Sequence, residues 1–152
     1  MPEAPFDVAR AQRWFAIELN NQTWDLVEKT NRTADETERM IHAAHAACFH
    51  WLQAGDLLNH LRAQCLLATV YAQAALGEAA VRHAAKCLAL SAEAADKQTM
   101  FDRATAHGCA AAAYRAAGNS AEALAAQQQA DAIAAELSPE DRAVFDSLYA
   151  TK

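Results

Sequence analysis

The chain has little of what breaks regular structure: only 4 of its 152 residues are glycine and 3 are proline. With alanine at roughly a quarter of the chain, that scarcity favours helix and leaves strand nearly absent, since alanine loses almost no side-chain entropy in a helix. Basic residues are few as well. The 13 Lys and Arg are spread thinly against 19 acids, for a net charge of −6, which argues against nucleic acid, because phosphate binding needs clustered cations. No stretch approaches the roughly 18 to 20 apolar residues of a membrane span, and MPEAPFDVAR has no basic region leading into an apolar run. The expectation is a soluble, cytoplasmic protein without a membrane partner. The four cysteines, Cys48, Cys65, Cys87 and Cys109, never form CxxC and stand about twenty residues apart, as expected of small buried apolar residues in a reducing compartment rather than a disulfide or zinc framework. GxSxG, the P-loop, GxGxxG and HEXXH are all absent, so no nucleophile, phosphate cradle or zinc protease motif is in view.

What is present is helical periodicity from end to end, in a length suited to one domain over 1–152. The breakers divide it. Thr33 to Glu36 has the form of a capping box, and Asn119 with Glu122 resembles another N-cap. Ser138-Pro139-Glu140-Asp141 places a cap, a first-turn proline and two acids where a helix dipole favours them. Gly55, Gly77 and Gly118 each follow a long periodic run and are expected to close helices in the left-handed conformation. Seven helices result, at about 7–30, 34–54, 57–76, 78–95, 98–117, 120–136 and 139–150. Short linkers between them predict antiparallel neighbours. Gly108, inside the helix 98–117, costs about 1 kcal/mol relative to alanine, which implies a close contact there.

Residues 66–90 and 109–133 are self-similar: Tyr71 aligns with Tyr114 and Ala80 with Ala123, both at an offset of 43 residues. Tyr114, Gly118, Glu122, Ala123 and Ala130 resemble the tetratricopeptide repeat, which has an aromatic in helix A, glycine at the turn and alanines where helix B crosses A. Tyr71, Ala80, Ala84, Leu88 and Leu90 are similar but depart from it, since Gly77 sits two places late and Cys87 replaces the second alanine. The resemblance covers about residues 57–136 and lacks the family's tryptophan and closing proline. It implies a peptide-clasping groove lined by helix A of each unit. By alignment that groove would carry Arg62, Cys65, Thr69 and Ala72, then Thr105, Gly108, Ala112 and Arg115. Arg62 and Arg115 could there hold a partner's carboxylate, or be two solvated arginines. The segment MIHAAHAACFHWLQAGDLLN is also similar to one in small bacterial proteins, a likeness that carries no function.

The helix 34–54 separates into two faces at about 100° per residue. Met40, Ala44, Ala47, Cys48 and Trp51 make a core side, while Asp35, Glu38, His42, His45, Phe49 and Gln53 form a stripe opposite. Three uses of that stripe compete. It is solvated, with Phe49 covered by a neighbour; or it is a contact surface, an apolar anchor in a polar rim, made by His42, His45 and Phe49. In the third, Glu38, His42 and His45 bind a divalent metal, since carboxylate and imidazoles at such spacing can converge on one ion. Were Trp51 and Gly55 to serve as an aromatic-then-glycine unit, pairing would shift by one helix and His42 and His45 would face the groove.

The resulting expectation is an all-α domain: a tetratricopeptide-like stack of three antiparallel hairpins, closed by a short C-terminal capping helix. Helix 1, with Trp14, Phe15, Ile17, Leu19, Trp24, Leu26 and Val27, is too apolar for a simple end cap, so it packs on both following helices or forms a homodimer surface. The leading function is a protein-interaction module that binds a peptide or partner helix without catalysis or cofactor. The competing class is a metal- or small-molecule-binding bundle using Glu38, His42 and His45.

Overall fold

A computed structural model describes residues 4–151. Among these there are seven α-helices and no strand: α1 (Val8–Glu28), α2 (Ala34–Ala54), α3 (Leu57–Gln73), α4 (Gly77–Ala94), α5 (Met100–Ala116), α6 (Ser120–Ala134) and α7 (Pro139–Tyr149). The chain is therefore all-α, and no helix is long and apolar enough to cross a membrane.

Local chemistry explains most of the helix ends. Asp7 accepts from the Arg10 amide at the start of α1. Arg32 gathers the carbonyls of Leu26, Val27 and Lys29 at its end, where the helix dipole favours a cation. The capping box of Thr33 and Glu36 forms as the sequence predicts, and two more, Asp56 with Asn59 and Thr99 with Asp102, open α3 and α5. Ser138 caps α7 ahead of Pro139. Asn119 does not cap α6 with its side chain.

The glycines behave differently from one another. Gly118 has φ +78 and closes α5 as expected, but Gly55 is extended, and Gly77 begins α4 against the backbone of Ala116 and Ala117. The left-handed position between α3 and α4 belongs instead to Ala75, at φ 58. Ala75 and Gly118 occupy equivalent places in two turns of the same type. Leu76 N–H donates to the Tyr71 carbonyl and Asn119 N–H to that of Tyr114, both at 2.9 Å, the closing bond of a Schellman motif repeated at the 43-residue offset.

Three pairings dominate the packing, α1 with α2, α3 with α4 and α5 with α6, so the alternative in which pairing shifts by one helix is not adopted. The pairs are joined by α2 on α3, α4 on α5 and α3 on α5. Helix 1 also touches α3, the first of the two expectations for it. One core cluster gathers Leu61, Cys65, Ala80, Ala84, Cys87, Ala106, Cys109, Ala110 and Ala130. A second gathers Ala16, Val27, Met40, Ala44, Trp51, Leu66 and Val70. Small residues at the crossings let the backbones approach closely.

The last helix is the chief departure in arrangement. α7 does not extend the stack beyond α6 as a capping helix; it packs on α5 and reaches α3, with Phe145 and Tyr149 fully buried. The cause is that deep face of small residues, which leaves room for two large rings.

Candidate functional site

The eight positions aligned as groove residues share one face of α3 and α5, and α7 lies across it. Tyr149 is the anchor. Its ring rests on Gly108, where an added Cβ would fall 2.7 Å from Tyr149 Cγ. Its hydroxyl is 2.8 Å from Thr69 Oγ1 and 3.5 Å from Cys65 Sγ. The close contact implied by Gly108 is thus an aromatic ring.

On either side of α7 a cleft remains open. One, of about 390 Å³, is lined by Arg62, Cys65, Asp102 and Thr105 together with Trp24 of α1 and Leu148 of α7. The other, of about 360 Å³, is lined by Thr69, Ala72, Ala112, Arg115 and Leu148. Both walls are chiefly apolar with a few polar groups.

Both arginines already have partners. Arg62 donates from Nε and Nη2 to the two carboxylate oxygens of Asp102, at 2.8 and 2.9 Å. Asp102 is buried and, as the third residue of α5, also accepts from the amide of Thr99, the N-cap of that helix. Burial, the largest single influence, pushes its carboxyl up, but the hydrogen bonds and charge of Arg62 together with the hydrogen bonds of Thr99 bring it below its usual value. Arg115 donates to Gln127 Oε1 at 2.9 Å. A carboxylate does bind Arg62, and it is the chain's own.

The histidine stripe is split. His42 is exposed, with Nε2 3.8 Å from Glu38 Oε1. His45 turns the other way: its Nε2 is 2.7 Å from the Tyr71 hydroxyl, and its ring meets Tyr71 and His83 edge-on. Glu38, His42 and His45 do not converge as a ligand set. Tyr71 and His83 stack with their rings 2° from parallel, and His83 Nδ1 is 2.8 Å from Gln64 Oε1. Burial, then the charges of His45, Lys86 and Arg82, push the His83 imidazole down to about 4. Burial, then His42 and Lys86, also lowers His45. Phe49 is not covered by a neighbour; it is 58% exposed and meets His50 edge-on. His50 stacks on Phe15, bonds Gln12 and so links Phe49 to exposed Trp14 and Phe15 on α1.

One grouping escaped the sequence altogether. Cys65 on α3, Cys87 on α4 and Cys109 on α5 bring their sulfurs within 4.8 Å of one another, all buried. The spacing of about twenty residues suggests isolated cysteines. It is also the length of one helix and its turn, so each falls on the next helix at a similar level. The Cys65 thiol donates to the Thr105 carbonyl at 3.6 Å and the Cys109 thiol to that of Ala106 at 3.2 Å, while the closeness of the three sulfurs holds Cys65 well below its ordinary value and pushes Cys109 up.

No family model matches the chain, and neither a search of curated proteins nor one of solved structures finds a match.

Proposed function

We propose that this chain is a protein-interaction module of tetratricopeptide-like build, an adaptor or regulator that accepts a peptide or partner helix on the α3/α5 face and performs no catalysis. The single observation carrying the reading is that this face already holds a helix, α7, through two fully buried rings between two open clefts. A surface that buries an amphipathic helix in cis has the shape and apolar depth for one in trans. The Schellman turn repeated 43 residues apart supports the repeat architecture. A competing helix would need an aromatic in the place of Tyr149. Arg62 and Arg115, at the edges of the two clefts, would meet acids on it if their internal partners yield. Four unpaired cysteines suit a reducing compartment such as the cytoplasm.

The experiment is fluorescence anisotropy with a labelled peptide of residues 138–150, added to the wild-type chain and to Tyr149→Ala. Binding to the variant and not to the wild type is expected, because the peptide would refill the vacated face. A folded Tyr149→Ala chain that ignores the peptide overturns the reading.

A second surface supports the partner role of Phe49. Trp14, Phe15 and Phe49 stand exposed as one aromatic patch across α1 and α2, joined through His50, and we assign it to a second copy of the chain; His42 and His45, on the same helix, would take part only at its margin. Sedimentation should show a dimer that Trp14→Ser with Phe49→Ser abolishes; a wild type that stays monomeric at high concentration removes this assignment.

A further inference from the structure

All three converging thiols sit in the core, but at one position packing alone does not call for sulfur. In the 43-residue correspondence Cys87 stands where the other unit has Ala130, a residue that fills the same crossing with a methyl group. Sulfur is therefore an addition at that position. Of the described residues, these are the only three metal-ligating side chains whose donor atoms meet this closely. The fourth cysteine, Cys48, lies in the other core cluster.

We propose that Cys65, Cys87 and Cys109 form a buried three-sulfur site for a soft d10 metal ion, Cu(I) in preference to Zn(II). With metal–sulfur bonds of about 2.3 Å, three sulfurs around one ion stand about 4 Å apart, so side-chain adjustments of under about 1 Å close the site from its present 4.8 Å limit. Soft thiolates select soft ions, and a protein zinc site is almost always four-coordinate. A fourth ligand is hard to find here. The oxygens close by are the helix carbonyls of Ala106, 3.2 Å from Cys109 Sγ, and Thr105, 3.6 Å from Cys65 Sγ, both hard backbone donors, and Tyr149 Oη, which is 3.5 Å from Cys65 Sγ and is engaged by Thr69 at 2.8 Å. The single proton of the Tyr149 hydroxyl is given to Thr69 Oγ1, whose own proton goes to the Cys65 carbonyl at 2.9 Å, so Tyr149 acts as an outer group that fixes the Cys65 turn rather than as a donor to the sulfur. Cu(I), content with three sulfurs, matches the donor set. The 390 Å³ cleft, with Cys65 and Tyr149 in its wall, provides the route in. Each sulfur that binds as thiolate releases its proton to solvent, so uptake tightens as pH rises.

This site does not depend on the groove being a binding surface. To test it, the reduced, metal-stripped full chain is titrated anaerobically with Cu(I) against a Cu(I)-selective chelator, and separately with Zn(II) against a zinc-selective one, with helicity followed throughout. One equivalent of Cu(I) with sulfur-to-metal absorption in the near ultraviolet is expected, together with a rise in Tm. Cys87→Ala, which restores the alanine of the sister unit and so keeps the fold, should weaken binding by roughly 100-fold, and Cys48→Ser should not. Cys109→Ser is the second ligand variant. One equivalent of Zn(II), lost in both Cys87→Ala and Tyr149→Phe, would keep the site and overturn its preference for copper. A folded wild type that holds neither ion against chelator, uptake indifferent to Cys87→Ala, or uptake accompanied by loss of helicity would overturn the proposal entirely.

Discussion

The ring of Tyr149 lies directly on Gly108, at a distance that leaves no room for a methyl group. Helix propensity would favour alanine at position 108 by about 1 kcal/mol, so the glycine is retained at a local cost that the buried tyrosine offsets.

Gly108→Ala should therefore destabilise the protein despite improving helix propensity, by about 1–3 kcal/mol, because an interior without slack must shift to admit the methyl. Amide hydrogen exchange would locate the effect: α7 should exchange faster while α5 itself stays protected. Tyr149→Phe keeps the ring and removes only the hydroxyl, with its bond to Thr69 and its weaker contact with Cys65, so a smaller loss of about 1 kcal/mol is expected from thermal or denaturant unfolding.

Ala75 offers the opposite case. At φ 58 it holds a conformation that costs a residue with a Cβ about 1–2 kcal/mol, whereas its counterpart Gly118 holds φ 78 freely. Ala75→Gly should stabilise by about 0.5–1 kcal/mol after allowing for the entropy glycine adds to the unfolded chain. Calorimetry would register this as a Tm higher by a few degrees. An unchanged or lower Tm would show that the turn between α3 and α4 is not strained.

Acid should weaken the fold through His83. Its imidazole is held down to about 4 in the folded chain, against about 6.5 when unfolded. Between those values the unfolded state binds the extra proton, so stability is full above about 6.5 and falls as pH drops toward about 4. Allowing for partial solvent contact, the loss is on the order of 1–2 kcal/mol. Unfolding free energies at pH 7 and pH 4.5 should differ less in His83→Gln than in the wild type.

The Arg62–Asp102 pair joins α3 to the first turn of α5, and it too responds to acid. Because the Asp102 carboxyl lies below its ordinary value in the folded chain, its contribution is present above the unfolded value and disappears as pH falls through the lowered one. Asp102→Asn should cost about 2 kcal/mol, since it removes the charge paired with Arg62 and one of the two oxygens that Arg62 grips, while the remaining amide oxygen can still cap Thr99 as Asn59 caps Asp56. If Asp102→Asn unfolds at the same denaturant concentration as the wild type, the pair is ornamental to stability.

The seven helices were legible because caps and breakers punctuate an otherwise uniform pattern. Thr33 with Glu36 and Ser138 with Pro139 mark boundaries that the structure respects. That the aligned residues of α3 and α5 share one face was legible for a related reason, as the 43-residue offset carries Arg62 to Thr105 and Cys65 to Gly108 regardless of how α7 is placed. What periodicity does not encode is distance between helices. The meeting of Cys65, Cys87 and Cys109 depends on how deeply α4 seats against α3 and α5, and the turn of His45 toward Tyr71 depends on a neighbour in another hairpin. Asp102 was invisible as the partner of Arg62 because the two are 40 residues apart and belong to different units. Gly77 misled because a glycine can serve close approach as readily as a turn, and here the backbone of Ala116 and Ala117 claims it.

A core whose crossings are built from alanine can err in only one direction. Ala80, Ala84, Ala110, Ala113 and Ala130 are fully enclosed and cannot be trimmed to leave a void of any size. Every substitution there other than glycine adds bulk. The drift open to this interior is outward, prying helices apart and widening the very face that α7 now covers.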